Sequence, residues 1–210
     1  MEPTSLFDDN SGPAAPIPAR TGGPVTSPDT TRAKIVTAAA DLFTRCGVRA
    51  VGINEIWRAA EVAKSTLYQH FRSKDELVAA VLRQRNDEWC ARLRDLAATA
   101  STPRDRLLAI FDLLGQEFAD PAYRGSDLLN FAAEYPDPDH PVRVAIRDHK
   151  REILRYLAEL AAAAQEPDPD KAAATVLTLA DGAACARVGL GDSTAAALAR
   201  EAASRLLTHG

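Results

Sequence analysis

Apolar residues recur along this chain at helical spacing, and a strand's strict alternation is sustained nowhere. Ile35, Ala39, Leu42, Phe43 and Cys46 fall at i, i+4, i+7, i+8 and i+11, which is one face of an α-helix. Gly47 stands where a left-handed residue ends such a helix, and Val48 is placed to fold back as the cap's apolar partner. Residues 53–60 predict a short helix with Ile53, Ile56 and either Trp57 or Ala60 inward. A turn at 61–63 leads to a second short helix over 64–71, anchored by Leu67 and Phe71 four residues apart. Two short helices about a three-residue turn make a helix-turn-helix, so residues 31–77 read as one unit.

Ser73 and Glu76 have capping-box spacing, each set to satisfy an orphan backbone donor of the other. They open a long helix that keeps an apolar stripe to about residue 98 and joins two domains. Further helices are predicted over 104–118, 126–135, 140–164, 170–190 and 193–209, separated by turns such as Ala119-Asp120-Pro121 and Pro136-Asp137-Pro138. The fold class is all-α: an N-terminal three-helix helix-turn-helix domain (31–77) followed by a helical bundle (78–210), with no fixed-period repeat. Residues 1–30 hold six prolines and no periodic apolar face, and read as a disordered arm.

Charge sharpens this division. The net charge of −4 hides a basic segment: residues 32–94 carry twelve Lys/Arg against seven Asp/Glu. Residues 1–31 carry one against four, and 95–210 twelve against eighteen. A basic module on an acidic body suits a protein that meets phosphate at one end. Cys46, Cys90 and Cys185 are odd in number and widely spaced, which favours reduced thiols over a disulfide framework. The four histidines, His70, His140, His149 and His209, include no pair at ligand spacing, so neither a metal nor another cofactor is expected. With no basic flank followed by an apolar run at the N-terminus, and no uninterrupted apolar stretch of bilayer length, a cytoplasmic protein without a membrane partner is expected.

Residues 47–77 resemble the N-terminal domain of the TetR/AcrR family of transcriptional regulators. The resemblance rests on Ile56, Ala59-Ala60, Val62, Lys64, Thr66-Leu67-Tyr68, His70-Phe71 and Ser73-Lys74, and extends more weakly through Tyr123-Arg124-Gly125-Ser126 and Glu134-Tyr135-Pro136-Asp137. It implies that the helix over 64–71 lies in the major groove of an operator. Lys64, Ser65 and Thr66 then read base edges, where Lys can donate to guanine and a Thr methyl can touch thymine. Tyr68, His70 and Lys74 bind phosphate, while Gln69 and Asn54 are further candidates for base contact. Three departures weaken contacts near the helix starts: Glu61 replaces the usual turn Gly, Ala63 replaces a capping Ser or Thr, and Val51-Gly52 replace hydroxyl residues.

The resemblance also implies a C-terminal effector pocket and a homodimer. An interface through about residues 170–209 would combine an Ala/Gly-rich helix with Leu198, Leu206 and Leu207. Pocket candidates are Trp89, Phe111, Leu114, Phe118, Tyr123, Leu129, Asn130, Phe131 and Tyr135, a set that predicts an apolar or weakly polar small-molecule effector. The reading is a ligand-responsive repressor rather than an enzyme; activation fits the same sequence. A helical-bundle carrier or enzyme is the competing class. Its nominal carboxylate pairs, Asp105/Asp112 and Glu117/Asp120, come with no nucleophile–base set and no phosphate loop.

Overall fold

The computed structural model describes residues 28–207, whose regular elements are all α-helices. The first, α1 (Pro28–Cys46), begins three residues before the predicted boundary, so Pro28, Asp29 and Thr30 form its first turn rather than the end of the arm. Pro lacks the N–H that a first turn leaves unpaired, and Asp29 complements the positive helix end. The remainder of the predicted arm lies outside the described residues, as does His209. Gly47 ends α1 at φ +79°, with its N–H bonded to the Phe43 carbonyl at 2.9 Å, and Val48 is buried beside it. Cys46 departs from the predicted stripe. It is exposed, because the last turn of α1 borders a cavity instead of the core.

Helices α2 (Ile53–Ala59) and α3 (Lys64–His70) follow, and α4 (Lys74–Thr99) runs out of this unit into the bundle. Ser73 caps α4, accepting from the Glu76 N–H at 3.1 Å. The reciprocal half of the predicted box is displaced by one residue: the Glu76 carboxylate accepts from the Arg72 N–H at 2.8 Å, not from Ser73. The bundle consists of α5 (Pro103–Phe118), α6 (Asp127–Glu134), α7 (Pro141–Ala163), α8 (Pro169–Leu190) and α9 (Ala195–Leu206). Thr102 and Asp168 cap α5 and α8, each with Pro in the first turn.

Two buried clusters organise the molecule. The N-terminal one gathers Ile35, Phe43, Ile56, Leu67, Phe71 and Leu77, continues along α4 to Leu82, and is closed by Leu128 and Phe131 of α6 and Val142 and Ile146 of α7. Burying a side chain of this size stabilises the fold by about 1.5–3 kcal/mol. The second joins Cys90, Leu93 and Ala97 of α4 to α5, α7, α8 and α9. Helix α4 is therefore shared, and α6 is built into the helix-turn-helix core. Helix α8 is long and apolar enough to cross a membrane by length and composition. Here Ala173, Val176, Leu177 and Ala180 are buried in the bundle, and Asp181 pairs with Lys150 at 2.5 Å.

Candidate nucleic-acid interface and coupled cavity

Leu67 and Phe71 hold α3 to the core, each 1% exposed. Their spacing leaves Lys64, Ser65, Tyr68 and Gln69 exposed, with Thr66 and His70 half-buried on the same short helix. The turn before it accepts strain: Glu61 adopts φ +53°, a conformation that costs an L-residue about 1 kcal/mol or more. Its N–H bonds the Arg58 carbonyl and the Val62 N–H bonds Trp57, both at 3.1 Å. Gly52 and Ala63, the caps of α2 and α3, provide no side-chain bond to their helices, as their residue types dictate.

Asn54 is exposed, and its carbonyl oxygen accepts from the Trp57 indole at 3.2 Å, so its amide N–H groups are what it has left to offer. Lys74, expected to bind phosphate, is half-buried and already engaged. Its ammonium donates to the Val48 carbonyl at 2.5 Å, tying the start of α4 to the α1–α2 loop, and desolvation lowers its pKa. Three cations that the motif does not contain lie in the same unit: Arg32 stacks over the Phe71 ring at 5.1 Å, Arg58 over Trp57 at 5.0 Å, and Arg72 is exposed after α3. Arg32 belongs to no helix-turn-helix signature, so only its distance from Phe71 brings it to notice.

The helix-turn-helix unit is clasped by the end of α6. Glu134 accepts from the N–H groups of Val48 (3.1 Å) and Arg49 (2.7 Å), and the Arg49 guanidinium donates back to the Glu134 carbonyl at 2.7 Å. Tyr135 donates its hydroxyl to Asp75 at 3.2 Å, and His140 approaches the other oxygen of Asp75 at 3.2 Å. Burial and the Asp75 carboxylate both push the Tyr135 phenol up. Tyr135 is thus a structural strut and does not line the cavity, because its hydroxyl finds its partner on α4.

A cavity of about 570 Å³ opens behind this clasp, between the last turn of α1, α4, α5, α6, α7 and α8. Of the predicted set, Trp89, Leu114, Tyr123, Asn130 and Phe131 line it. Phe111 and Phe118 do not: both are 1% exposed, spent on the bundle core, where Phe118 packs on Tyr123 at 5.0 Å between ring centres. Leu129 does not either. Leu128 and Phe131 face inward, which turns Leu129 to the outside at 38% exposure.

The walls also carry more polar groups than predicted, among them Arg85, Asn86, Glu117, Glu134, His149, Lys150 and Asp181. Most of the charges are already held. Lys150 pairs with Asp181, Glu117 with Arg92 at 3.1 Å, Glu134 with the two amides, and Arg85 donates to Thr44 at 2.6 Å and the Ala40 carbonyl at 3.3 Å. The nominal carboxylate pairs are similarly occupied: Arg200 bridges Asp105 (3.3 Å) and Asp112 (3.2 Å), and Asp120 accepts from the Ala122 N–H.

Residues 35–81 match the family model described as bacterial regulatory proteins, tetR family. The chain is 40% identical over 81 residues to the HTH-type transcriptional activator FasR of Mycolicibacterium smegmatis, covering 39% of this chain and 37% of that protein. It is 35% identical over 80 residues to the HTH-type transcriptional repressor KstR2 of Mycobacterium tuberculosis, covering 38% and 40%. These matches span about two-fifths of the relatives' length. A solved structure of a TetR-family transcriptional regulator from Streptomyces coelicolor extends the likeness to the bundle: it superposes with a TM-score of 0.75 at 30% identity, over 83% of this chain and 93% of that one. With the helix-turn-helix, the shared α4 and the bundle all matched, this chain belongs to the TetR family of bacterial regulatory proteins.

Proposed function

We propose that this chain is a sequence-specific DNA-binding transcriptional regulator that acts in the cytoplasm as a homodimer on a pseudo-palindromic operator and releases it when an effector fills the cavity. The observation that carries this reading is α3: a helix anchored by Leu67 and Phe71 that exposes Lys64, Ser65, Tyr68 and Gln69 on a basic unit. Lys64, Ser65 and Thr66 read bases, while Tyr68 and His70 hold phosphates. Lys74 serves chiefly to fix the α1–α2 loop. The domains divide at about residue 77, with residues 78–210 binding effector and partner.

The dimer reading is supported by Val188, Leu190, Leu198 and Leu206, exposed at 55%, 82%, 57% and 66% on α8 and α9. Leu207, predicted to join them, is 4% exposed and fills its own core. Coupling runs through α6, whose residues line the cavity at Asn130 and Phe131 and clasp the α1–α2 loop at Glu134. An effector that favours a different seat for α6 shifts the spacing of the two helix-turn-helix units.

Repression is the preferred sign; FasR, a named activator 40% identical over the matched segment, keeps activation as the second reading. Mapping the chain's bound sites across its genome, with transcript levels with and without its gene, tests both. Paired half-sites about 10 base pairs apart or a multiple thereof support the dimer reading. Transcripts that rise on deletion mark a repressor, and those that fall an activator. Absence of any preferred site contradicts the proposal.

A further inference from the structure

Two polar side chains in the cavity wall are more than nine-tenths buried, and one of them has a nitrogen without a partner. His149 of α7 is 5% exposed, and its Nδ1 makes no hydrogen bond among the described residues. Asn86 of α4 is 8% exposed and lines the same cavity. Trp89 stands three residues after Asn86, on the same side of α4, and meets the imidazole edge-on with ring centres 6.4 Å apart. The two polar groups therefore share the wall formed by α4 and α7. Leaving the imidazole nitrogen unsatisfied is costly, and a complementary ligand removes that penalty on binding.

The rest of the wall narrows the chemistry. Leu114, Ile153 and Leu177 offer apolar surface for a ligand's body. Lys150, next in the chain to His149, is paired with Asp181, and the other carboxylates are paired as described above. We infer that the cavity takes an uncharged amphiphile, an aromatic or alicyclic body with a hydroxyl or carbonyl group that hydrogen-bonds His149 and Asn86. Burial pushes the imidazole down to about 4, so at neutral pH it supplies one donor and one acceptor, which suits a hydroxyl or a carbonyl and not a carboxylate. A carboxylate would enter desolvated, and Lys150, next in the chain to His149, is already held by Asp181.

This inference rests on the reading of the cavity as the effector site, and its test needs no DNA. Calorimetric titration of the full chain with 1-naphthol, naphthalene and 1-naphthoate separates hydroxyl, bare body and charge on one scaffold. The neutral hydroxylated probe is expected to bind about tenfold more tightly than either of the others. His149→Phe and Asn86→Leu, each checked by thermal melting, are expected to bring the naphthol-to-naphthalene ratio close to one. Tightest binding of 1-naphthoate, no preference for the hydroxyl, failure of all three to bind, or a ratio unchanged in both variants would each overturn the assignment. A chain that passes these titrations but ignores DNA sinks the regulator reading alone; one that binds its operator but shows no hydroxyl preference sinks only this inference.

Discussion

Lys64 and Lys74 carry the same charge at the starts of successive helices, and the fold gives them different work. Lys64 is exposed on α3, whereas the Lys74 ammonium is committed to the Val48 carbonyl. Replacing Lys74 by Met should cost about 1–3 kcal/mol in chemical denaturation, since it strips a part-buried carbonyl of its donor; unchanged stability would show the bond to be dispensable. His149 makes stability pH-dependent. Its folded pKa of about 4 lies below the ordinary 6.5, so between those values the unfolded chain binds more protons. Stability should be full above about pH 6.5 and should fall toward pH 4, by about 3 kcal/mol from this group. His149→Phe should flatten that part of the profile, as denaturation at stepped pH can show. At this scale the sequence was informative where a motif position set burial, with Leu67 and Phe71 inward and Tyr68 outward. It was silent on His149, whose burial depends on packing between α4 and α7 that no local pattern records.

Helix starts and stops were legible because they are local chemistry. Gly47 takes the left-handed conformation its position required, and Ser73 caps α4. Ala63 gives no cap bond, as its type dictates, whereas Glu61 keeps the positive φ of the usual Gly and accepts the strain. The seat of α6 was not legible. Its clasp joins residues more than eighty positions apart, and the Glu134-Tyr135 stretch was recognisable only as a family echo, not as a lock on the α1–α2 loop. Tyr135 was misread as pocket lining for that reason. Glu134→Ala should leave the Val48 and Arg49 amides without their acceptor and speed their hydrogen exchange by about tenfold or more, while α8 amides keep their protection. Equal protection in the variant would show that α6 does not hold the loop.

Across the whole molecule, charge is segregated into a basic N-terminal unit, and leucines are exposed on α8 and α9, the face that the proposed dimer would bury. Leu198→Glu places a charge on the exposed face of α9 without touching the bundle core, so it should halve the sedimenting mass and leave the fold intact. Operator affinity should fall with it, because one helix-turn-helix makes half the contacts. A Leu198→Glu chain of unchanged mass would move the interface elsewhere.

The most direct test of the central claim is fluorescence anisotropy with the DNA immediately upstream of this chain's own gene, titrated at several salt concentrations against a scrambled duplex. The account predicts a steep loss of affinity with salt and a preference for the native sequence of about a thousandfold or more. It further predicts that Tyr68→Ala weakens both duplexes, while Lys64→Ala chiefly erodes the preference between them. Binding without sequence preference at every salt concentration, or a preference that survives Lys64→Ala and Tyr68→Ala intact, would contradict α3 as the element that reads DNA.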